Sequence, residues 1–253
     1  MKIKTLIILL AVTASAMAAG MYAYWDTAPV AEISFPMGNV FVIAKGHNKM
    51  AKAGFKEKLF AGDKVKTGPG ARCEIKYKDA SIIRIDAQSI YTINNAALTQ
   101  KSKKVESSLS FGRLWANIKK LASSTDHWLL RGPSAVVAVR GTVYRMDVDK
   151  DSTSSVYVYN GSVNVAPPGW NPQGVKSGTS GNKLKKPHYV PGPTKVQGPH
   201  QVSLKEWVEI VKAQQRIVVK PDGSYQKADF DPKADAKSSW VQWNLERDKL
   251  LKR

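Results

Sequence analysis

From Phe35 to Val165, apolar and polar residues alternate in short runs separated by turn signals. Ala71, Cys73, Ile75 and Tyr77 alternate with Arg72, Glu74, Lys76 and Lys78, the period-two signature of a half-buried strand, and Ile83 and Ile85 continue it beyond a turn. A three-residue loop at Lys78-Asp79-Ala80 sets Ile75 opposite Ile83 and Cys73 opposite Ile85. A two-residue loop would oppose Ile75 to Arg84 and mix the faces. Further on, Thr142, Tyr144, Met146 and Val148 alternate with Val143, Arg145 and Asp147. Asn160-Gly161 is the preferred dipeptide of a two-residue type I′ hairpin. Counting outward pairs Val158 with Val163 and Val156 with Val165, and turns Tyr157 and Tyr159 to the other side. The pattern predicts an all-β domain over residues 35–166.

Beyond it the character changes. Residues 167–200 are rich in Pro, Gly, Ser and Lys, as in Pro167-Pro168-Gly169 and Pro191-Gly192-Pro193, and read as a linker or extended arm. Ser203-Leu204-Lys205-Glu206 is a capping box, with Val202 and Trp207 placed as its hydrophobic staple. Leu204, Trp207, Val208 and Val211 follow at helical spacing and predict a helix from about Leu204 to Gln215. Ile217 to Val219 read as a short strand ended by Pro221-Asp222-Gly223. A last helix is expected from about Asp235, with Trp240, Trp243 and Leu250 as apolar contacts and Glu246, Arg247 and Asp248 solvated. Residues 201–253 therefore form a C-terminal helical segment in this reading. Its helices are too short to stand alone, so they should dock on the β domain, with Trp207, Trp240 and Trp243 packing there.

The first 25 residues set the compartment. Lys2 and Lys4 precede an apolar stretch from Thr5 to about Ala19, ending in Ala16-Met17-Ala18, a small-x-small pattern suited to signal peptidase. The competing reading is an uncleaved anchor from Thr5 to Trp25, long enough for the ~20 residues that a bilayer core requires. Tyr22, Tyr24 and Trp25 would then sit at the outer interface and the lysines inside. The short strongly apolar core, Leu6 to Val12, tips the balance towards cleavage. Either way, everything after residue 26 is expected outside the cytoplasm, in the periplasm, as an exported or inner-membrane-anchored protein.

Composition sharpens this picture only in part. The 253 residues carry 39 Lys+Arg against 20 Asp+Glu, a formal charge of +19, which favours anionic partners such as lipid headgroups or acidic glycans. The basic residues are spread along the chain, which is equally the pattern of a solvated surface. Export removes nucleic acid as the usual partner of such charge, and no reader motif is present. The one cysteine, Cys73, excludes an intramolecular disulfide and a Cys-based zinc cluster, and lies in a strand as a small buried hydrophobe.

The run Leu59-Phe60-Ala61-Gly62-Asp63-Lys64-Val65-Lys66-Thr67-Gly68, leading into the alternating strand and Asp79-Ala80-Ser81, resembles the first half of a FecR domain. Phe111-Gly112-Arg113-Leu114-Trp115 and Ala138-Val139-Arg140-Gly141-Thr142-Val143-Tyr144 are similar to its second half. These motifs cover about half the chain in family order, and the Arg-Gly-Thr element is the most specific. The resemblance implies a mainly β, FecR-like solenoid or sandwich-type domain, here with a short C-terminal helical extension, that works by protein contact in the periplasm. In the best-known members it passes a signal from an outer-membrane receptor to a cytoplasmic sigma-factor regulator. Here only Met1 to Lys4 would lie in the cytoplasm, so no sigma-binding domain is expected and that role does not transfer. Ala80 stands where the family usually has Gly, which places a non-glycine residue in a left-handed position at a cost of ~1–2 kcal/mol.

The signature residues Gly62, Asp63, Gly68, Arg140, Gly141 and Thr142 read as structural. Gly141 supplies backbone freedom where a strand begins, and the planar fork of Arg140 suits carbonyls or a carboxylate across the sheet. No catalytic, metal or cofactor constellation stands out: His47, His127, His188 and His200 are scattered, and no nucleophile elbow, Walker A loop or dinucleotide fingerprint occurs. Asp126-His127 are sequence neighbours that do not face each other on a strand. The expectation is a non-enzymatic envelope module that binds a protein partner. The alternative is a binder of anionic peptidoglycan or lipopolysaccharide.

Overall fold

The computed structural model describes residues 28–100, 102–123, 126–170 and 207–251. The N-terminal apolar stretch, most of the Pro/Gly-rich segment and the capping box at Ser203 lie outside the described residues.

Alternation on this scale buries one face of each strand, and two such faces close on each other. The chain shuttles between two sheets to achieve this. β1 (Ala31–Met37) lies in the first sheet, β2 (Val40–Ile43) and β3 (Ala51–Lys52) in the second, β4 (Lys58–Leu59) in the first and β5 (Lys64–Thr67) in the second. β6 (Arg72–Tyr77) and β7 (Ile82–Ile85) form a hairpin in the first sheet, and β8 (Ile90–Leu98) returns to the second. The long β9 (Lys103–Asn117) belongs to both: up to Phe111 it pairs with β8, and from Gly112 it crosses into the first sheet. β10 (His127–Arg131) and β11 (Val136–Val139) continue the second sheet, β12 (Val143–Val148) and β13 (Ser154–Asn160) the first. β14 (Ser162–Ala166) and β15 (Glu209–Lys212) add to the second, β16 (Gln215–Val219) and β17 (Tyr225–Asp229) to the first. Two helices close the described chain, α1 (Pro232–Asp235) and α2 (Ser239–Leu250). This is the expected mainly β, solenoid-like architecture with a short helical end.

One core fills the space between the sheets. Ile33, Ile75, Ile85, Met146 and Val156 enter it from the first sheet, and Val65, Ile93, Val137 and Val165 from the second. Tyr77 and Tyr91 meet there hydroxyl to hydroxyl at 2.6 Å, and Trp128 stands edge-on to Tyr77. The β6–β7 register is the predicted one, Ile75 facing Ile83 and Cys73 facing Ile85. Ala80 has φ +64°, as a three-residue loop demands, and Asp79 braces the turn by accepting from the Ser81 amide and hydroxyl. Cys73 is buried in the core, where desolvation pushes its thiol pKa far up and silences it as a nucleophile.

Three expectations are corrected. Asn160-Gly161 does not make a hairpin: β13 is flanked by β12 and β16, and β14 by β11 and β15. The dipeptide is a corner between sheets. Val156, Val158, Val163 and Val165 still share one buried surface, because both arms face the same core. The helix expected from Leu204 to Gln215 is, over its described part, the β15–β16 hairpin. There Val211 pairs with Val163 and enters the core, and Gln214 turns the chain at φ +67°. Adding a strand to the open edge of β14 satisfies a row of backbone groups that a local helix would leave unpaired, so tertiary pairing overrides the spacing. The last helix is split, with Asp231 capping α1 and α2 beginning only at Ser239. Leu250 is 61% exposed, whereas Asp248, expected in solvent, is buried and Arg247 half-buried.

Candidate interaction surface

The signature residues sit at the turns and corners of this coil. Asp63 is buried and its carboxylate accepts from the amides of Lys45 (3.0 Å) and Phe60 (2.9 Å), tying the β2 end to the turn before β5. Gly62, at φ +101°, donates its amide to Ile93 across that turn, and a Cβ there would meet the Lys45 side chain at 2.5 Å. Gly68 bonds Asn39 through its amide and accepts from Ala71 and Gln88 through its carbonyl. Thr142 donates to the Ser162 carbonyl (2.8 Å), and Arg140, on an exposed face, reaches the Ser123 carbonyl. Gly141 lies at φ +100°, where a Cβ would come within 2.8 Å of the Lys120 backbone. Asp126 repeats the device of Asp63: it accepts from the amides of Lys103 and Ser123, which hold its carboxyl below the usual range. The sequence pattern gives no sign of that echo.

The buried guanidiniums are elsewhere, on the outer face of the first sheet beneath the helices. Glu74 on β6 and Arg84 on β7 are cross-strand partners, followed across the sheet by Trp115 on β9 and Arg145 on β12. Arg84 is fully buried, donating from Nε to Glu74 (2.6 Å) and from Nη1 to Asp248 of α2 (2.7 Å). Arg247 of α2 holds Glu74 from above with two bonds of 2.8 and 2.9 Å, and Ser34, at the β1 bulge, adds a third donor group. Burial alone would raise the Glu74 pKa, but the hydrogen bonds from Arg247 and Arg84 outweigh it and hold it at about 2. Asp248 also accepts from Trp115 Nε1 (3.0 Å).

Beside this cluster Arg145 bonds Asp235 of α1 (2.9 and 3.0 Å) and Tyr159, pairs with Asp147, and lies over the Tyr157 ring at 3.9 Å. Here burial wins over the arginines and raises the Asp147 carboxyl to about 6. Trp115, Trp240 and Val241 form a second small core with Trp243 stacked on Trp240. Arg72 lies against both of those rings and Arg247 over Phe35.

Two other features face solvent. β15 and β17 each have a neighbour on one side only among the described strands, and Val208, Ile210 and Tyr225 are exposed there. Lys58, Lys76 and Lys78 line a shallow pocket of about 230 Å³ beside Pro29 and Glu32. His47 is exposed and His127 lies 3.9 Å from Glu106, while His188 and His200 fall outside the described residues. Among the described residues no group of His, Cys, Asp and Glu is placed to hold a metal ion, and no helix is long and apolar enough to cross a membrane.

Comparison with known proteins agrees with the motifs. Residues 63–164, from the turn before β5 into β14, match the model of the family described as FecR protein. The chain is also similar to two crystal structures, at 1.65 and 2.50 Å, described as a "putative anti-sigma factor" from Parabacteroides distasonis ATCC 8503. For each the identity is 16%, the TM-score 0.44, and the match covers 66% of this chain and 60% of that one. No curated protein matches the chain.

Proposed function

We propose that this chain, which carries a FecR domain over residues 63–164, is a non-enzymatic module of the cell envelope that binds a protein partner in signalling or assembly. The FecR domain is the observation that carries the reading. Gly62, Asp63, Gly68, Arg140, Gly141 and Thr142 serve the turns and corners, so recognition falls to the surfaces those corners hold in place. The N-terminal apolar segment acts as signal peptide or inner-membrane anchor and puts the domain in the periplasm. No cofactor enters this reading. Affinity capture of the tagged protein after crosslinking in living cells, with mass spectrometry of what is held, tests it. One recurrent envelope protein is the expected result, and none across independent crosslinkers overturns it.

The lysine-lined pocket favours a second reading, a contact with anionic glycan or lipid. Lys58, Lys76 and Lys78 surround a single carboxylate, Glu32, which Lys58 already pairs. Such a contact would appear as sedimentation with sacculi or anionic vesicles that weakens steeply as salt rises. Salt-independent absence of binding removes it.

A further inference from the structure

The face beneath α2 is built to hold a helix, and the helix that holds it is poorly finished. Arg84 Nη2 and Trp240 Nε1 are buried at this interface without a hydrogen bond. Each such atom costs on the order of 1–3 kcal/mol. Ser238, at the N-cap of α2, makes no side-chain cap bond, and the first turn has no acidic residue to meet the helix dipole. With twelve residues, α2 has little stability of its own and exists because it is docked. It docks through a small apolar cluster, Trp240 and Val241 against Trp115, and through charged contacts beside it: Arg247 on Glu74, and Asp248 on Arg84 and the Trp115 indole. A buried ion pair left half-made is strongly destabilising, so this face penalises a helix that brings the wrong charges.

We infer that the outer face of the first sheet is a helix-binding surface, which α2 occupies within the chain and which a helix of the partner protein takes by displacing α2. This rests on the protein-partner reading above and says where that partner binds. The arriving helix carries what α2 shows the surface: a carboxylate for Arg84 and Trp115, a guanidinium beside it for Glu74, and an aromatic residue one turn earlier, as Trp243 precedes Arg247. Removal of α2 would leave Arg84 and Glu74 facing each other in a groove walled by Trp115 and Phe35, the setting in which a few desolvated anchors dominate binding.

Two measurements on the full chain test this. Hydrogen exchange of the intact protein is expected to show the α2 amides opening while those of β7 and β12 stay protected; equal protection of all three overturns the inference. The second uses a fluorescently labelled peptide with the sequence of residues 231–251. Asp248→Asn loosens the resident helix and leaves the sheet face intact, so the peptide should bind that variant at least ~10-fold more tightly than wild type, the gain expected from raising the open fraction. Arg247→Ala, acting through Glu74, should do the same, and Arg84→Met in the Asp248→Asn background should abolish the binding. Unchanged affinity in both loosened variants overturns the surface assignment even if in-cell capture yields a partner. Peptide binding as described, with no partner captured, overturns the partner reading and leaves the surface standing.

Discussion

Replacing Glu74 by glutamine removes one charge and little volume from the centre of the helix dock. Two guanidiniums depend on that charge, and one of them, Arg84, is fully buried. The pKa gives the magnitude. A carboxyl moved from 4.5 to about 2 contributes about 3 kcal/mol to stability at pH 7, at ~1.4 kcal/mol per unit. Breaking a buried pair by removing one partner costs roughly 3–5 kcal/mol, so the two routes agree. The loss can fall short of this figure where α2 lifts and lets water reach Arg247, which is already half-buried. Urea unfolding followed by tryptophan fluorescence measures it, since Trp115, Trp240 and Trp243 all report on the dock.

The pH dependence separates this charge effect from a packing defect. Because the folded pKa lies below the unfolded one, the contribution is complete above about pH 5, declines as pH falls below 4.5 and is nearly gone by about pH 2. The gap between wild type and Glu74→Gln should therefore close on acidification. A loss under ~1 kcal/mol at pH 7, or a gap of the same size at pH 2, refutes the reasoning.

Asp147 has the opposite sign: its folded pKa of about 6 lies above the ordinary 3.8, so its contribution is fully present below 3.8 and lost as pH rises through 6. Between those limits, wild type should lose up to ~3 kcal/mol relative to Asp147→Asn, measured by unfolding free energy against pH. Gly141→Ala forces a side chain into φ +100° and against Lys120, and should lower stability by ~2 kcal/mol or more in urea unfolding. Ala80→Gly relieves a left-handed alanine at φ +64° and should raise the melting temperature, the strain of ~1–2 kcal/mol exceeding the added chain entropy of ~0.5–1 kcal/mol.

The local register is legible where side chains alone decide it. Matching apolar faces selects the three-residue loop at Lys78-Asp79-Ala80, and the same count sets Glu74 opposite Arg84, an oppositely charged cross-strand pair. What the alternation does not carry is the partner of each strand. Asn160-Gly161 reads as a hairpin because its valines match, and they match equally well when two sheets face one core. Likewise Leu204, Trp207, Val208 and Val211 fit a helix, but the free edge of β14 lies far back in the sequence and no local pattern announces it. Trp115 is the available signal for the dock: a large aromatic at an outward position of β9 marks a face that something covers.

Period-two patterning says which side of a strand faces the core and nothing about whether the other side meets water. In this chain the second side of the first sheet carries Glu74 on β6, Arg84 on β7 and Arg145 on β12, charged and yet buried, because α1 and α2 supply the opposite charges. An apolar outer face would bind any apolar helix and would be an aggregation hazard when uncovered. A charged one stays soluble when open and closes only on a helix whose carboxylate and guanidinium fall in register, since a mismatched helix leaves Arg84 buried and unpaired. Gly141, at φ +100°, makes the corner from which β12 carries Arg145 to this face, so the Arg140-Gly141-Thr142 turn and the helix dock meet on one strand.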